Sequence, residues 1–210
     1  YGLEETAVFK MLAPPSKDDS PQLYSIMGDL TGFAHKDVTQ CPDDAHFMKN
    51  GKPTDLDVAF QNPNTAVYLS EEKTTTINFT QDGGATWETV KHKPDPATGG
   101  QVAMSADGSS TIWVPNSISG KPYVTTDLGK TWYYVEGLGF NAKIAADRVN
   151  PKVFYATCDG LFYVSRDGGV TFESTGQMVA DSAEPVTVFG QEGNVWISSS
   201  TMIMYTEDGG

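Results

Sequence analysis

Four copies of one short pattern recur along the chain. Thr80-Gln-Asp82-Gly-Gly84-Ala-Thr86-Trp87, Thr125-Thr-Asp127-Leu-Gly129-Lys-Thr131-Trp132 and Ser165-Arg-Asp167-Gly-Gly169-Val-Thr171-Phe172 are complete, and Thr206-Glu-Asp208-Gly-Gly210 carries the first half. Their aspartates are 45, 40 and 41 residues apart. A turn signature that returns with a period near 40 marks a repeat architecture. Between the turns lie short β-branched and aromatic runs bounded by Gly, Asn, Asp and Pro, which read as strands and hairpins. No 3.6-residue apolar period runs longer than two turns. One small sheet cannot bury both of its faces, so each repeat must stack between neighbours. The expected fold is therefore all-β, a β-propeller of four-stranded antiparallel blades.

Residues 1–23 read as a lead-in segment, with a polar, proline-rich loop from Pro14 to Pro21 that cannot hold a strand. Residues 24–210 read as a partial propeller of about four to five blades, the last one truncated, since blades take roughly 40–45 residues each. Leu23–Met27 is an expected strand, and Gly28 to Phe33 an expected turn. The inner strands carry small residues (Ala103, Ala145, Ala146) suited to a crowded channel. A propeller closes only when its last blade meets its first, and an unclosed one leaves sheet edges and faces bare. The chain is accordingly expected to be part of a longer protein.

Charge narrows the partners. A formal net charge of −13 and a pI near 4.4 argue against nucleic acid and anionic membrane surfaces, both of which need basic patches. No run of 18 apolar residues is present, so no helical membrane span is expected. Cys41 and Cys158 form no metal-ligand spacing; no metal and no cofactor is expected, and the two thiols are expected to be buried and free rather than bonded to each other. Asn78-Phe79-Thr80 fits a glycosylation sequon, in keeping with secretion.

The repeated aspartates admit two readings, as ligands or acids, or as clasps that close a hairpin. The leading Ser or Thr and the Asp can each accept local N–H groups, and the glycines supply positive φ without steric cost. One mechanism repeated at four separate turns is implausible, so the clasp reading is preferred. Trp87, Trp132 and Phe172, which end the pattern, are expected to pack against the blades.

The pattern resembles the Asp-box, or BNR repeat, of sialidases, sortilins and several glycoside hydrolases. The unrepeated segments point further. Gly28-Asp29-Leu30-Thr31-Gly32-Phe33-Ala34-His35, Leu56-Asp57-Val58-Ala59-Phe60-Gln61-Asn62-Pro63 and Asp147-Arg148-Val149-Asn150-Pro151-Lys152-Val153-Phe154-Tyr155-Ala156 resemble the second half of the xyloglucan-active glycoside hydrolase family 74. That resemblance implies two seven-bladed propellers facing one another across a cleft. It also implies a secreted enzyme that cleaves the β-1,4-glucan backbone of xyloglucan with inversion, one catalytic aspartate coming from each half. This chain would be the beginning of the second propeller. Its partners would be the polysaccharide, a preceding propeller that carries the base, and the remaining blades. The family's general acid falls on Asp29. Thr31 stands where the family has a glycine.

Sugar binding uses aromatic faces with polar groups beside them. On that basis Phe33, His35, Trp113, Tyr123 and Tyr133 are the candidate substrate-binding residues, and Trp113 the foremost platform. His35 could bond a sugar hydroxyl or Asp29, or serve the fold. A sialidase needs a cluster of three arginines, whereas this chain has only Arg148 and Arg166. A non-catalytic propeller that binds carbohydrate or protein remains the alternative.

Overall fold

A computed structural model of the chain describes residues 7–15, 17, 19–28, 31–42, 51–71, 73–94, 97–116 and 120–210. Every regular element among them is a strand, and the strands form five antiparallel sheets that follow one another along the chain. The first holds β1 (Val8–Leu12), β2 (Leu23–Met27) and β3 (Thr31–His35). The second holds β4 (Lys52–Val58), β5 (Ala66–Glu71), β6 (Thr75–Thr80) and β7 (Glu88–Thr89). The third holds β8 (Gln101–Met104), β9 (Thr111–Val114), β10 (Tyr123–Thr125) and β11 (Tyr133–Tyr134). The fourth holds β12 (Lys143–Ala146), β13 (Phe154–Cys158), β14 (Leu161–Ser165) and β15 (Glu173–Met178). The fifth holds β16 (Glu184–Thr187), β17 (Val195–Ser198) and β18 (Ile203–Thr206).

Each sheet is a meander, and the first strands β4, β8, β12 and β16 lie side by side. The sheets are therefore β-propeller blades, with their first strands innermost. Four apolar layers fill the gaps between them. Tyr24, Ile26, Leu56 and Tyr68 lie between the first two blades, and Val67, Phe79, Met104 and Trp113 between the next two. Ile112, Val124, Phe154 and Phe172 follow, and Tyr155, Phe162, Val195 and Ile197 form the last layer. Strand alternation explains the pattern: successive side chains point to opposite flanks of a blade, so strands buried on both flanks carry consecutive apolar residues, as Ala66–Leu69 in β5 and Ile112–Val114 in β9 do.

The innermost strands do not pair with one another, so their N–H groups need partners from elsewhere. Side chains supply them. The Asp55 carboxylate accepts the N–H of Val102 at 2.8 Å, and the Asp57 carboxylate that of Met104 at 2.7 Å. Lys10 ties the first blade to the second through Asp55 at 2.7 Å. Arg148 reaches from the fourth blade to the second, pairing with Asp57 at 2.9 Å and lying over the Phe60 ring at 4.4 Å. Asp147 accepts the N–H of Gly193 at 3.1 Å and the Tyr155 hydroxyl at 3.0 Å, which clasps the fourth blade to the fifth.

Three expectations need correction. The propeller begins before the expected boundary at residue 24, because Val8–Leu12 pairs with β2 and becomes the inner strand of the first blade. The turn after β2 is shorter than expected, since Thr31 already pairs with Met27 and Phe33 with Ser25. Cys158 is buried, but Cys41 is exposed, and both are free.

Candidate functional site

Antiparallel order gives the blades two unlike ends. First-to-second-strand turns and the Asp turns share one end. Second-to-third-strand connections and the links between blades share the other.

At the first end the Asp turns are closed by their own residues. The leading hydroxyl donates to its aspartate at 2.8 Å from Thr80, 2.9 Å from Thr125, 2.8 Å from Ser165 and 2.7 Å from Thr206. The same oxygen accepts the N–H of the second glycine, Gly84, Gly129, Gly169 or Gly210. In the three complete copies the carboxylate also holds the N–H and hydroxyl of Thr86, Thr131 and Thr171. Three turns are pinned to the neighbouring turn of their blade by N–H bonds: Gly83 to Asn64, Gly168 to Lys152 and Gly209 to Gly193. Burial opposes the charge at Asp82 and Asp167, but the donated hydrogen bonds outweigh it, so both carboxyls titrate below the usual aspartate range. At Asp127 the Thr131 hydroxyl is the leading cause of the same shift. Carboxylates engaged in this way have no role left as acids. The rings that end the pattern pack as expected: Trp87 meets Tyr68 edge-on at 4.6 Å, Trp132 meets Trp113 at 6.1 Å, and Phe172 is buried.

The opposite end carries the β2–β3 hairpin. Asp29 belongs to its turn and, with Leu30, lies outside the described residues. The flanks are well defined. The Gly28 N–H donates to the Ala7 carbonyl at 2.9 Å, and a Cβ added at Gly28 would meet the Phe9 ring at 3.3 Å. Thr31 has φ 60°. A β-branched residue in left-handed backbone is an outlier, and such strain concentrates at functional turns. Thr31 thus keeps the conformation that a glycine would adopt freely.

Behind the turn, Phe33 and His35 are half-buried on one flank of β3, their rings 5.7 Å apart. The His35 Nε2 lies 3.2 Å from the Ser25 hydroxyl. Burial lowers the pKa of His35, which favours the neutral ring at pH 7. Between these two residues, Ala34 packs toward the second blade. By alternation, Phe33 and His35 face the other way, onto the open flank of the first blade.

The remaining candidates lie on the third blade and are not brought to this hairpin. Trp113 is 0% exposed and its Nε1 donates to the Gly99 carbonyl at 2.7 Å. It has no free ring face and belongs to the core between blades, which corrects its assignment as a platform. Tyr123 stacks on Trp113 at 5.9 Å and on Tyr134 at 4.9 Å. Burial first, and then the hydrogen bond with Tyr134, push its pKa up to about 12. Tyr133 is 63% exposed on the outermost strand. Tyr134, which sequence reasoning passed over, completes the stack. Its only signal was its place beside Tyr133. Among the described residues no cluster of three or more His, Cys, Asp or Glu could hold a metal.

Comparison with known proteins bears on this arrangement. No family model matches the chain. A xyloglucanase of Acetivibrio thermocellus is 38% identical over 204 residues, covering 94% of this chain and 24% of its own length. A xyloglucanase of a Paenibacillus species is 37% identical over 220 residues, covering all of this chain and 20% of its own length. The crystal structure of a GH74 xyloglucanase from Xanthomonas campestris superposes with a TM-score of 0.83 at 27% identity, over the whole of this chain and 31% of that one. The chain spans about a quarter of the length of the curated relatives it matches. Identity sustained along the chain, together with the shared fold, places it in glycoside hydrolase family 74, the family of these xyloglucanases.

Proposed function

We propose that this chain forms part of a glycoside hydrolase that cleaves the β-1,4-glucan backbone of xyloglucan with inversion, and that Asp29 is its general acid. The observation that carries the reading is the 38% identity to a xyloglucanase along nearly the whole chain. The left-handed backbone of Thr31, two residues after Asp29 and on the end of the blades opposite the Asp turns, supports it.

An inverting glycosidase uses two carboxyl groups roughly 6.5–9.5 Å apart. One protonates the departing glycosidic oxygen, and the other deprotonates the water that attacks the opposite face of the sugar. Asp29 takes the first part, so its carboxyl must keep its proton near working pH, through partial burial or a neighbouring negative charge. The base belongs to a facing propeller. Phe33 and His35 stand behind the hairpin and hold its position.

The repeated turns are Asp-boxes, and the five blades belong to a seven-bladed ring in a secreted protein. The register of the fifth blade supports further blades. Trp196 occupies the place of Val67, Ile112 and Tyr155, and Tyr205 that of Phe79, Val124 and Val164. Those six are buried under the following blade, whereas Trp196 and Tyr205 are 45% and 44% exposed. On the first blade Phe9 and Met11 are likewise exposed.

The test is Asp29→Asn in the complete protein, assayed by reducing-sugar release from xyloglucan and by calorimetric titration with xyloglucan oligosaccharide. Hydrolysis is expected to fall by about 10³-fold or more, since an amide cannot supply the proton, with affinity retained. Near-normal turnover would remove Asp29 from the role. A wild-type protein that binds the polymer without cleaving it would favour a non-catalytic binding propeller.

A further inference from the structure

The first blade departs from regular pairing at one residue. Val8 pairs with Met27 and Lys10 with Ile26, so Phe9 is an extra residue with no counterpart on β2. A β-bulge of this kind bends its strand and re-aims a side chain. Here the Phe9 ring is brought onto Gly28, where an added Cβ would lie 3.3 Å from the ring's Cζ. Beside that contact the Gly28 N–H donates to the Ala7 carbonyl at 2.9 Å. The segment from Ala7 to Phe9 therefore holds Gly28 twice, once through the backbone and once through the ring.

The second blade fixes the bulge in turn. The Lys52 ammonium lies over the Phe9 ring, 5.0 Å from its centroid, and Asp55 holds Lys10, the next residue, at 2.7 Å. Both partners come from β4, the inner strand of that blade. Phe9 is nonetheless 43% exposed and stands outside the apolar layer formed by Tyr24, Ile26, Leu56 and Tyr68. A ring so open adds little to the core. What it does contact is the backbone that leads into the β2–β3 turn.

We propose that Phe9 is a positioning residue for the general acid, a ring that seats the start of the β2–β3 turn so that the carboxyl of the following residue meets the glycosidic oxygen. The proposal rests on the reading of Asp29 as that acid. The turn is short, since only Gly28, Asp29 and Leu30 separate the paired residues Met27 and Thr31. With two soft dihedrals per residue, so short a loop has little slack, and a displacement at Gly28 carries into Asp29. Proton transfer is sensitive to such a displacement, because a misplacement near 1 Å can cost about 10²-fold in rate. Glycine suits the contact, having no side chain to keep the ring away.

The test uses the complete protein and two substrates. Xyloglucan has a sugar leaving group that takes a proton as its C–O bond breaks, whereas the dinitrophenyl glycoside of a xyloglucan oligosaccharide releases a phenolate that departs as the anion and needs none. Phe9→Ala is expected to lower kcat on xyloglucan about tenfold with KM held, and on the aryl glycoside by less than about twofold. Phe9→Tyr, which keeps the ring, should retain both rates. Phe9→Leu, a milder change that keeps most of the apolar bulk, should show the same selective loss at about threefold. Gly28→Ala, which crowds the ring, should slow xyloglucan cleavage in the wild-type background and cause no further loss once Phe9 is alanine, the coupling expected of groups in contact. A purely structural role would slow both substrates alike. Equal losses on the two substrates, or no loss on either, would overturn the proposal, while Asp29→Asn that spares the aryl glycoside alone would leave the acid assignment standing. Asp29→Asn that slows both alike, or neither, would overturn the acid assignment and this proposal with it.

Discussion

Replacing Trp113 by alanine separates a core residue from a sugar platform. The side chain has no exposed surface. A buried aromatic of this size hides roughly 150–250 Å², which at ~25 cal/mol per Å² corresponds to about 4–6 kcal/mol. That figure is an upper bound, because unfolded chains already bury part of their apolar surface. The Gly99 carbonyl would also lose the Nε1 donor that now lies at 2.7 Å, at about 1–3 kcal/mol. Measured aromatic-to-alanine changes in cores cost about 3–5 kcal/mol, which is the expected loss here. Set against a total stability of about 5–15 kcal/mol, such a loss is large. Denaturant unfolding followed by far-ultraviolet circular dichroism reads it without relying on tryptophan emission. Trp113→Phe, which keeps most of the ring and loses the donor, should cost about 1–3 kcal/mol. A Trp113→Ala protein less than about 1 kcal/mol weaker in stability, but unable to bind oligosaccharide, would refute the core assignment.

Three other outcomes follow from the geometry. Gly169→Ala would place a methyl 2.3 Å from the Ile112 Cδ1 at φ +89°, whereas Gly176→Ala, at φ +79°, meets nothing within 4 Å. Left-handed strain of about 1–2 kcal/mol applies to both, and overpacking adds about 1–3 kcal/mol only to the first, so melting must fall further for Gly169→Ala. Arg148→Met leaves Asp57 charged and buried, at about 3–5 kcal/mol. Adding Asp57→Asn should recover part of that, and denaturation midpoints of the single and double variants test it. The carboxyls of Asp82, Asp127 and Asp167 lie below the ordinary value of 3.8. The unfolded chain therefore binds their protons first, and their stabilisation is full above that value and lost as pH falls through the lower folded values. Unfolding midpoints measured between pH 6 and pH 2 should decline at the acid end, and Asp127→Asn should flatten that decline.

The propeller was legible because its signal is local. Each Asp turn closes through hydrogen bonds that span two to four residues, so residue type and spacing report it directly. The strands between the turns followed for the same reason. Where the deciding contact is distant, sequence said less. Val8–Leu12 becomes a strand only because β2, beyond a proline-rich loop, offers an edge. Trp113 sits at a strand end, where an exposed ring is plausible, yet the loop that supplies Gly99 closes over its nitrogen from 14 residues away. The contact of Phe9 with Gly28 was invisible in sequence, since it depends on a bulge in that same pairing. Asp29 is a special case, because family likeness singled it out and no local rule would have.

Repetition itself sorts structural carboxylates from chemical ones. An aspartate repeated in four of the blades must be satisfied in each of them by that blade's own atoms, and the hydroxyls of Thr80, Thr125, Ser165 and Thr206 do this within two residues of each carboxylate. A group so fully bonded is poorly placed to exchange a proton or to hold a sugar. Chemistry therefore has to sit where the repeat fails, in connections that differ from blade to blade. The strained backbone follows that division. Leu128 (φ 57°) is the one non-glycine residue with left-handed backbone at the Asp-turn end among the described residues, and it stands where the three other copies have glycine. Thr31, Asn141, Asp159 and Ser182 all lie at the opposite end, in second-to-third-strand turns and links between blades whose sequences carry no shared pattern. Strain kept at positions where no repeat demands it is where local sequence rules are broken for a reason outside the repeat.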